Sequence, residues 1–190
     1  MQLLSYHGTR AGFMGLGNWL IRLRLRGRFS HSEILFEPGD GVDDLMPDGT
    51  TAPDADGATW CASSTGLEPV SAWSGRRAGH RGGVRLKRIV VDPAKWTRTP
   101  LPAAAARRAA QWARTHEGQL YDWQLIFGFI AWLVPNKASR VMCSEACAEM
   151  LGFEEAWRYD PCVLHSAVRQ TIQPASAGFS LPERSPTHGV

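Results

Sequence analysis

A cysteine and a histidine, far apart in the chain, are the residues best suited to chemistry. Cys143 stands at the head of CSEACAEML (143–151), whose apolar spacing predicts a short helix that ends at Gly152. His31 stands at the head of HSEILF (31–36), whose alternating apolar residues predict a strand. A helix N-terminus and a nearby imidazole both lower the pKa of a thiol and make it a strong nucleophile. We therefore expect a cysteine hydrolase or acyl-transfer enzyme with Cys143 as the nucleophile and His31 as the base.

A third polar group is needed to orient the imidazole, and the sequence leaves its source open. Glu33 shares a face of the predicted strand with His31, so its carboxylate could accept the other ring N–H. Ser63 or Ser64, on the following strand, could hold the ring instead. Tyr121 is a further candidate, because its hydroxyl could reach the thiolate or a developing oxyanion.

Metal binding is the rival interpretation of the cysteines. The spacing C-x3-C-x14-C-x2-H superficially resembles a zinc site made of Cys143, Cys147, Cys162 and His165. The first pair falls inside a predicted helix with apolar neighbours, whereas zinc ligands usually pair on tight turns. The Asp-rich segment 37–57 lacks the spacing of an EF-hand calcium loop. We therefore expect no metal and no cofactor, with Cys147 packed in the core and Cys61 and Cys162 inert.

The composition is that of an ordinary globular domain. The 190 residues are 44% apolar and 21% charged, which suits one domain with a real core. A formal charge of +3, without a long Lys/Arg run, argues against nucleic acid as a partner. The apolar segment 125–134 is about half as long as a membrane span requires, so no transmembrane segment is expected.

The start of the chain lacks the features of a signal peptide. We therefore expect the protein to be cytoplasmic when synthesised, with its four cysteines as free thiols. The sequence carries no signal for the oligomeric state.

The predicted elements run strands first and helices mostly afterwards, which indicates an α+β fold with an antiparallel sheet. Strands are expected at 2–6, 31–36, 59–64, near 67–70 and at 84–91. Helices are expected at 13–26, 103–116, 125–134, 143–151 and 163–170. The first helix contains LIRLRLR (20–26), which also alternates as a strand would. One domain is expected over 1–172, with 37–57 as a solvated acidic loop that could cover or flank a cleft, and 173–190 as a poorly ordered Pro/Ser-rich tail.

Three segments carry a resemblance to a known family: SHSEILF (30–36), EGQLYDW (117–123) and CSEACAEML (143–151). Together they resemble the circularly permuted branch of the NlpC-type papain-like superfamily. That branch includes the YiiX-like bacterial and phage proteins and, more distantly, the lecithin retinol acyltransferase group. In it the histidine strand precedes the cysteine helix, as here, and the likeness covers roughly residues 2–170.

The resemblance implies a papain-like antiparallel sheet packed against the cysteine-bearing helix. It makes Cys143 the nucleophile, His31 the base and Tyr121 the tyrosine kept near the cysteine, and it points to Ser63 or Ser64 for the third polar residue. The implied activity is that of a thiol protease or amidase acting on peptide bonds of peptidoglycan. A lipid or thioester acyl hydrolase or acyltransferase, and a phage structural or binding protein without turnover, are the alternatives. The likeness to phage proteins also allows an association with a phage virion.

Overall fold

The structure is a computed structural model that describes residues 1–9, 12–69, 81–122 and 140–172. The expected helix at 125–134, the tail at 173–190 and most of the basic turn at 75–83 lie outside these ranges. The described residues are mixed α and β, which confirms the α+β class.

A five-stranded antiparallel sheet forms the centre of the described chain, in the order β4-β3-β2-β1-β5. Its strands are β1 (Gln2–Tyr6), β2 (His31–Leu35), β3 (Thr59–Pro69), β4 (Arg81–Ile89) and β5 (Trp96–Pro100). The α-helices of the described ranges are α1 (Gly12–Leu25), α2 (Ala106–His116), α3 (Cys143–Leu151) and α4 (Pro161–Ile172). Two short strands, β6 (Leu120–Tyr121) and β7 (Arg140–Val141), pair in parallel beside the sheet.

The two faces of the sheet follow from the alternation of side chains along each strand. In β2, Ile34 and Phe36 belong to the larger core cluster, while Leu35 belongs to a smaller cluster on the other face. The larger cluster is completed by fully buried residues of the helices, among them Ala109 and Ala113 of α2 and Ala146 and Met150 of α3. Alanines at helical spacing let α2 approach the sheet closely. The predicted faces of β2 are therefore confirmed.

Helix α3 begins and ends where the sequence predicts. The amide of Met142 donates to Glu145 Oε2 at 3.2 Å, which satisfies one backbone group at the N-terminus. Gly152 adopts a left-handed φ of 74°, and its amide donates a hydrogen bond to the Glu149 carbonyl at 2.9 Å. This is the geometry that favours glycine at the end of a helix. The α-helix over Gly12–Leu25, rather than a strand at 20–26, is also confirmed.

Two strand predictions are wrong. The two strands expected at 59–64 and near 67–70 are one continuous strand, β3, with a register shift between Thr65 and Pro69. The strand β5 is absent from the predicted elements; it pairs with β1 over its whole length.

The acidic loop is exposed over most of its length, as the sequence predicts, but two of its apolar residues are buried in the core. Val42 and Met46 are 0% and 5% exposed and belong to the larger core cluster. Asp48 accepts hydrogen bonds from Trp60 Nε1 at 2.9 Å and from Arg88 Nη2 at 2.6 Å. These contacts lie where β2 ends and β3 begins, at the opposite end of β2 from His31. The loop therefore closes the far end of the sheet and does not flank His31.

Within the described ranges, none of the helices has the length and apolar character that a membrane crossing requires.

Candidate active site

Cys143 and His31 meet where the start of α3 approaches the start of β2. The Cys143 sulfur raises the pKa of the imidazole, and the imidazole and the backbone N–H groups of Ser32 and Ser144 lower the pKa of the thiol, so these groups lie close enough to interact. The His31 end of β2 is fixed by its pairing with Tyr6 of β1. The start of α3 is fixed by Ser64, whose hydroxyl donates to the Val141 carbonyl at 2.7 Å.

Glu33 supplies the second partner of the imidazole. His31 Nε2 lies 3.0 Å from Glu33 Oε1, which leaves Nδ1 for the sulfur. Glu33 is itself held by Arg85, whose Nη2 donates to Oε1 at 2.9 Å and whose Nη1 donates to Oε2 at 3.4 Å. Glu33 and Arg85 are 1% and 2% exposed. The chain thus forms a buried row of four groups: thiol, imidazole, carboxylate and guanidinium.

The charges of this row support one another. Burial opposes ionisation of Glu33, but Arg85 and His31 outweigh it and hold the pKa of the carboxyl at about 2. Burial likewise opposes protonation of His31, but the Cys143 sulfur and Glu33 raise its pKa to about 9. Burial raises the pKa of the Cys143 thiol, yet His31 and the two backbone N–H groups bring it below its ordinary value. The arrangement therefore favours a thiolate–imidazolium pair near neutral pH.

Tyr121 lies on β6, which pairs with β7 just before Cys143. It is 9% exposed, and burial, the Cys143 charge and Asp122 raise the pKa of its hydroxyl well above the ordinary value. The phenol is therefore neutral and close enough to the sulfur to respond to its charge. A neutral phenol is a hydrogen-bond donor, as stabilisation of an anion requires.

Access to the pair is from the imidazole side. Cys143 is 2% exposed, whereas the His31 side chain is 16% exposed. The ring of Trp96 lies beside the imidazole, with centroids 6.1 Å apart.

The serines that were alternatives for the third polar residue have other partners. Ser63 Oγ donates to the Ser32 carbonyl at 2.6 Å and to the Ser64 carbonyl at 3.3 Å, and Ser64 Oγ donates to Val141. Both hydroxyls thus bind backbone and tie strands β2, β3 and β7 together. Glu33 is the side chain that contacts the ring.

The four residues of the zinc-like pattern do not converge. Cys162 contacts the backbone of Phe29, and His165 Nδ1 lies 3.0 Å from Ser5 Oγ. Burial raises the pKa of the Cys147 thiol, so it remains a neutral core residue. Within the described ranges, no cluster of three or more His, Cys, Asp or Glu residues is placed to hold a metal ion. All four cysteines are free thiols.

Arg85 is the site residue that the sequence reasoning missed. The sequence predicts the strand at 84–91 but gives Arg85 no role in the site. The signal was the period of two: Arg85 lies opposite Ser63 in the register of β3 and β4, on the face of the sheet that carries Glu33. An arginine between two buried residues of a strand indicates a buried anion nearby.

Comparisons of the chain with models of protein families, with curated proteins and with solved structures find no match.

Proposed function

We propose that this protein is a cysteine hydrolase that transfers an acyl group through Cys143. One observation carries the proposal: a thiol at a helix N-terminus has its pKa lowered by an imidazole, and that imidazole lies 3.0 Å from a buried carboxylate. This arrangement supplies a nucleophile, a base and a group that orients the base.

In the proposed reaction the Cys143 thiolate attacks a carbonyl carbon and forms a tetrahedral intermediate. Backbone N–H groups of the first turn of α3, with the Tyr121 hydroxyl, would hold the oxyanion. The protonated His31 gives its proton to the leaving amine or alcohol, and a thioester remains on the sulfur. His31 then takes a proton from water as the water attacks the thioester, which releases the acid and restores the thiol pair.

Glu33 and Arg85 act on this reaction through His31. A carboxylate kept ionised at 3.0 Å orients the ring and stabilises the imidazolium. Arg85 keeps that carboxylate ionised in a buried place, so it is a positioning residue and not a catalytic one.

The substrate class rests on the resemblance to permuted NlpC-type proteins. It favours peptide or amide bonds of peptidoglycan, and hence a peptidase or amidase. Acyl esters and thioesters undergo the same attack at a carbonyl carbon, so they are the second class of substrate to be tested.

Alkylation kinetics test the thiol pair directly. Iodoacetamide at pH 6.5, followed by mass spectrometry of each cysteine peptide, should label Cys143 faster than Cys61, Cys147 and Cys162. His31→Ala should slow labelling of Cys143 by roughly tenfold or more, because the pKa of the thiol rises when the imidazole is lost. His116→Ala, which removes a histidine stacked on Trp112 far from the site, is the matched control and should change nothing.

Equal labelling of the four thiols, or a Cys143 rate indifferent to His31, would contradict the proposal and favour a binding protein without turnover. Incubation with muropeptides and, separately, with acyl esters then assigns the bond. Release of amine from muropeptides that is lost in Cys143→Ala supports the peptidase assignment, and turnover of esters alone replaces it by an acyl hydrolase.

A further inference from the structure

The outward face of helix α1 is apolar. Trp19, Leu20 and Leu23 are 52%, 41% and 59% exposed. At about 100° per residue, the three side chains fall within roughly a quarter of the helix circumference. A helix on the surface of a globular protein normally turns such a stripe inward, so this exposed stripe is a feature to be explained.

The stripe is bordered by positive charge. Arg24, Arg26 and Arg28 are all exposed at the end of α1 and just beyond it. No aspartate or glutamate precedes Glu33 in the chain, so the segment that contains α1 carries a net positive charge. A tryptophan and leucines flanked by arginines form the pattern of a helix that lies in a lipid–water interface.

The fold holds α1 by contacts other than the stripe. Arg22 Nη1 donates to the carbonyls of His7 and Gly8 at 2.8 and 3.2 Å. Gly27 lies against Cys162, whose sulfur would collide with any Cβ at that position. Helix α1 is thus held by contacts with the residues that follow β1 and with α4, and the apolar stripe remains exposed to solvent.

We propose that α1 docks this protein in the plane of an anionic lipid bilayer. The leucines and the indole of Trp19 enter the boundary between headgroups and acyl chains, and the arginines meet the lipid phosphates. The docking helix follows β1, whose last residue Tyr6 pairs with His31. Docking would therefore bring the His31 end of the sheet toward the lipid surface. The proposal rests on the α1 surface alone and does not require Cys143 to be catalytic.

Charge complementarity and the apolar stripe together favour lipid over the other acidic partners. A nucleic acid would engage the arginines and leave the stripe exposed to water. A second copy of the chain would cover the stripe and bring two sets of arginines together, which like-charge repulsion opposes.

Vesicle co-sedimentation tests the proposal with the whole chain. Vesicles of equal parts phosphatidylglycerol and phosphatidylcholine should bind the protein, and vesicles of phosphatidylcholine alone should bind it much more weakly. Arg24→Gln with Arg26→Gln should weaken binding about 25-fold, since each arginine near an anionic surface contributes about fivefold. Trp19→Ser with Leu23→Ser should abolish the blue shift of tryptophan fluorescence on binding.

Two controls separate this test from general effects. Trp157→Ser removes another exposed tryptophan, 45% exposed and away from α1, and should bind vesicles as the unaltered protein does. Cys143→Ala should also bind normally, so failure of the catalytic proposal and failure of this one are distinguishable. Equal binding to both kinds of vesicle, or variants of α1 that bind unchanged, would overturn the proposal. A dimer in sedimentation equilibrium that Trp19→Ser dissociates would also overturn it, by assigning the stripe to a second copy.

Discussion

Replacing Arg85 by methionine should destabilise this protein strongly at neutral pH. The guanidinium is 2% exposed and holds both oxygens of Glu33, which is 1% exposed. Removal of one partner leaves a buried carboxylate with His31 as its remaining charged neighbour, and breaking a buried pair costs about 3–5 kcal/mol. The pKa of Glu33 gives a similar figure. It lies near 4.5 ordinarily and at about 2 here, a difference that corresponds to about 3 kcal/mol of stability at pH 7.

The pH dependence has a definite sign. Because the pKa of Glu33 is depressed in the folded state, its contribution is complete above the unfolded pKa near 4.5 and is lost as pH falls through about 2. In Arg85→Met the folded pKa of Glu33 rises, since its strongest stabilising charge is gone. The difference in unfolding free energy between the two proteins should therefore be largest near neutral pH and shrink toward pH 2.

Urea unfolding followed by tryptophan fluorescence measures the effect, and two further variants sharpen it. Arg107→Met breaks an ion pair with Asp44, whose side chains are 55% and 58% exposed, and should change the free energy of unfolding far less than Arg85→Met does. Arg85→Met combined with Glu33→Gln removes both buried charges and should recover much of the loss. The reasoning is refuted if Arg85→Met costs no more than Arg107→Met, or if the double variant is as unstable as the sum of its single changes.

Two more variants test how the site is held. Glu33→Gln should lower the pKa of the imidazole, so the alkaline limb of the hydrolysis rate, near pH 9 in the unaltered protein, should move to lower pH. The pH midpoint of Cys143 alkylation should move to higher pH. If neither the alkaline limb nor this midpoint moves, the contact between His31 and Glu33 is contradicted. Ser64→Ala removes the buried hydrogen bond to the Val141 carbonyl. It should lower the free energy of unfolding in urea by about 1–2 kcal/mol and slow the alkylation of Cys143. The control Thr115→Ala, which removes an exposed hydroxyl hydrogen bond within α2, should do neither.

The elements that the sequence predicted well are those whose pattern is complete within a few residues. Strand β2 follows from alternation, and α3 from its apolar spacing and the left-handed Gly152. Helix α2 follows from its alanines. In each case the signal is local periodicity or a terminal residue, and the surrounding fold agrees with it.

The errors arose where long-range pairing decides the structure. The five residues of β5 carry little signal of their own and form a strand because β1 pairs with them along its whole length. The two strands expected at 59–64 and near 67–70 are joined through Gly66, whose carbonyl lies so close to Gly82 of β4 that a Cβ at position 82 would collide with it. Val42 and Met46 lie in a segment whose sequence predicts a loop, and their burial in the larger core cluster is evident only from the tertiary structure.

The sequence alone was enough to predict a cysteine at the start of a helix and a histidine at the start of a strand. Both placements depend on the pattern of residues close by in the sequence. Which polar group faces the imidazole was decided only by the tertiary structure. The identity of Glu33 as that group, and of Arg85 as its counter-charge, depends on the register of strands β2, β3 and β4. Register between strands is set by burial of whole faces, and no local pattern specifies it.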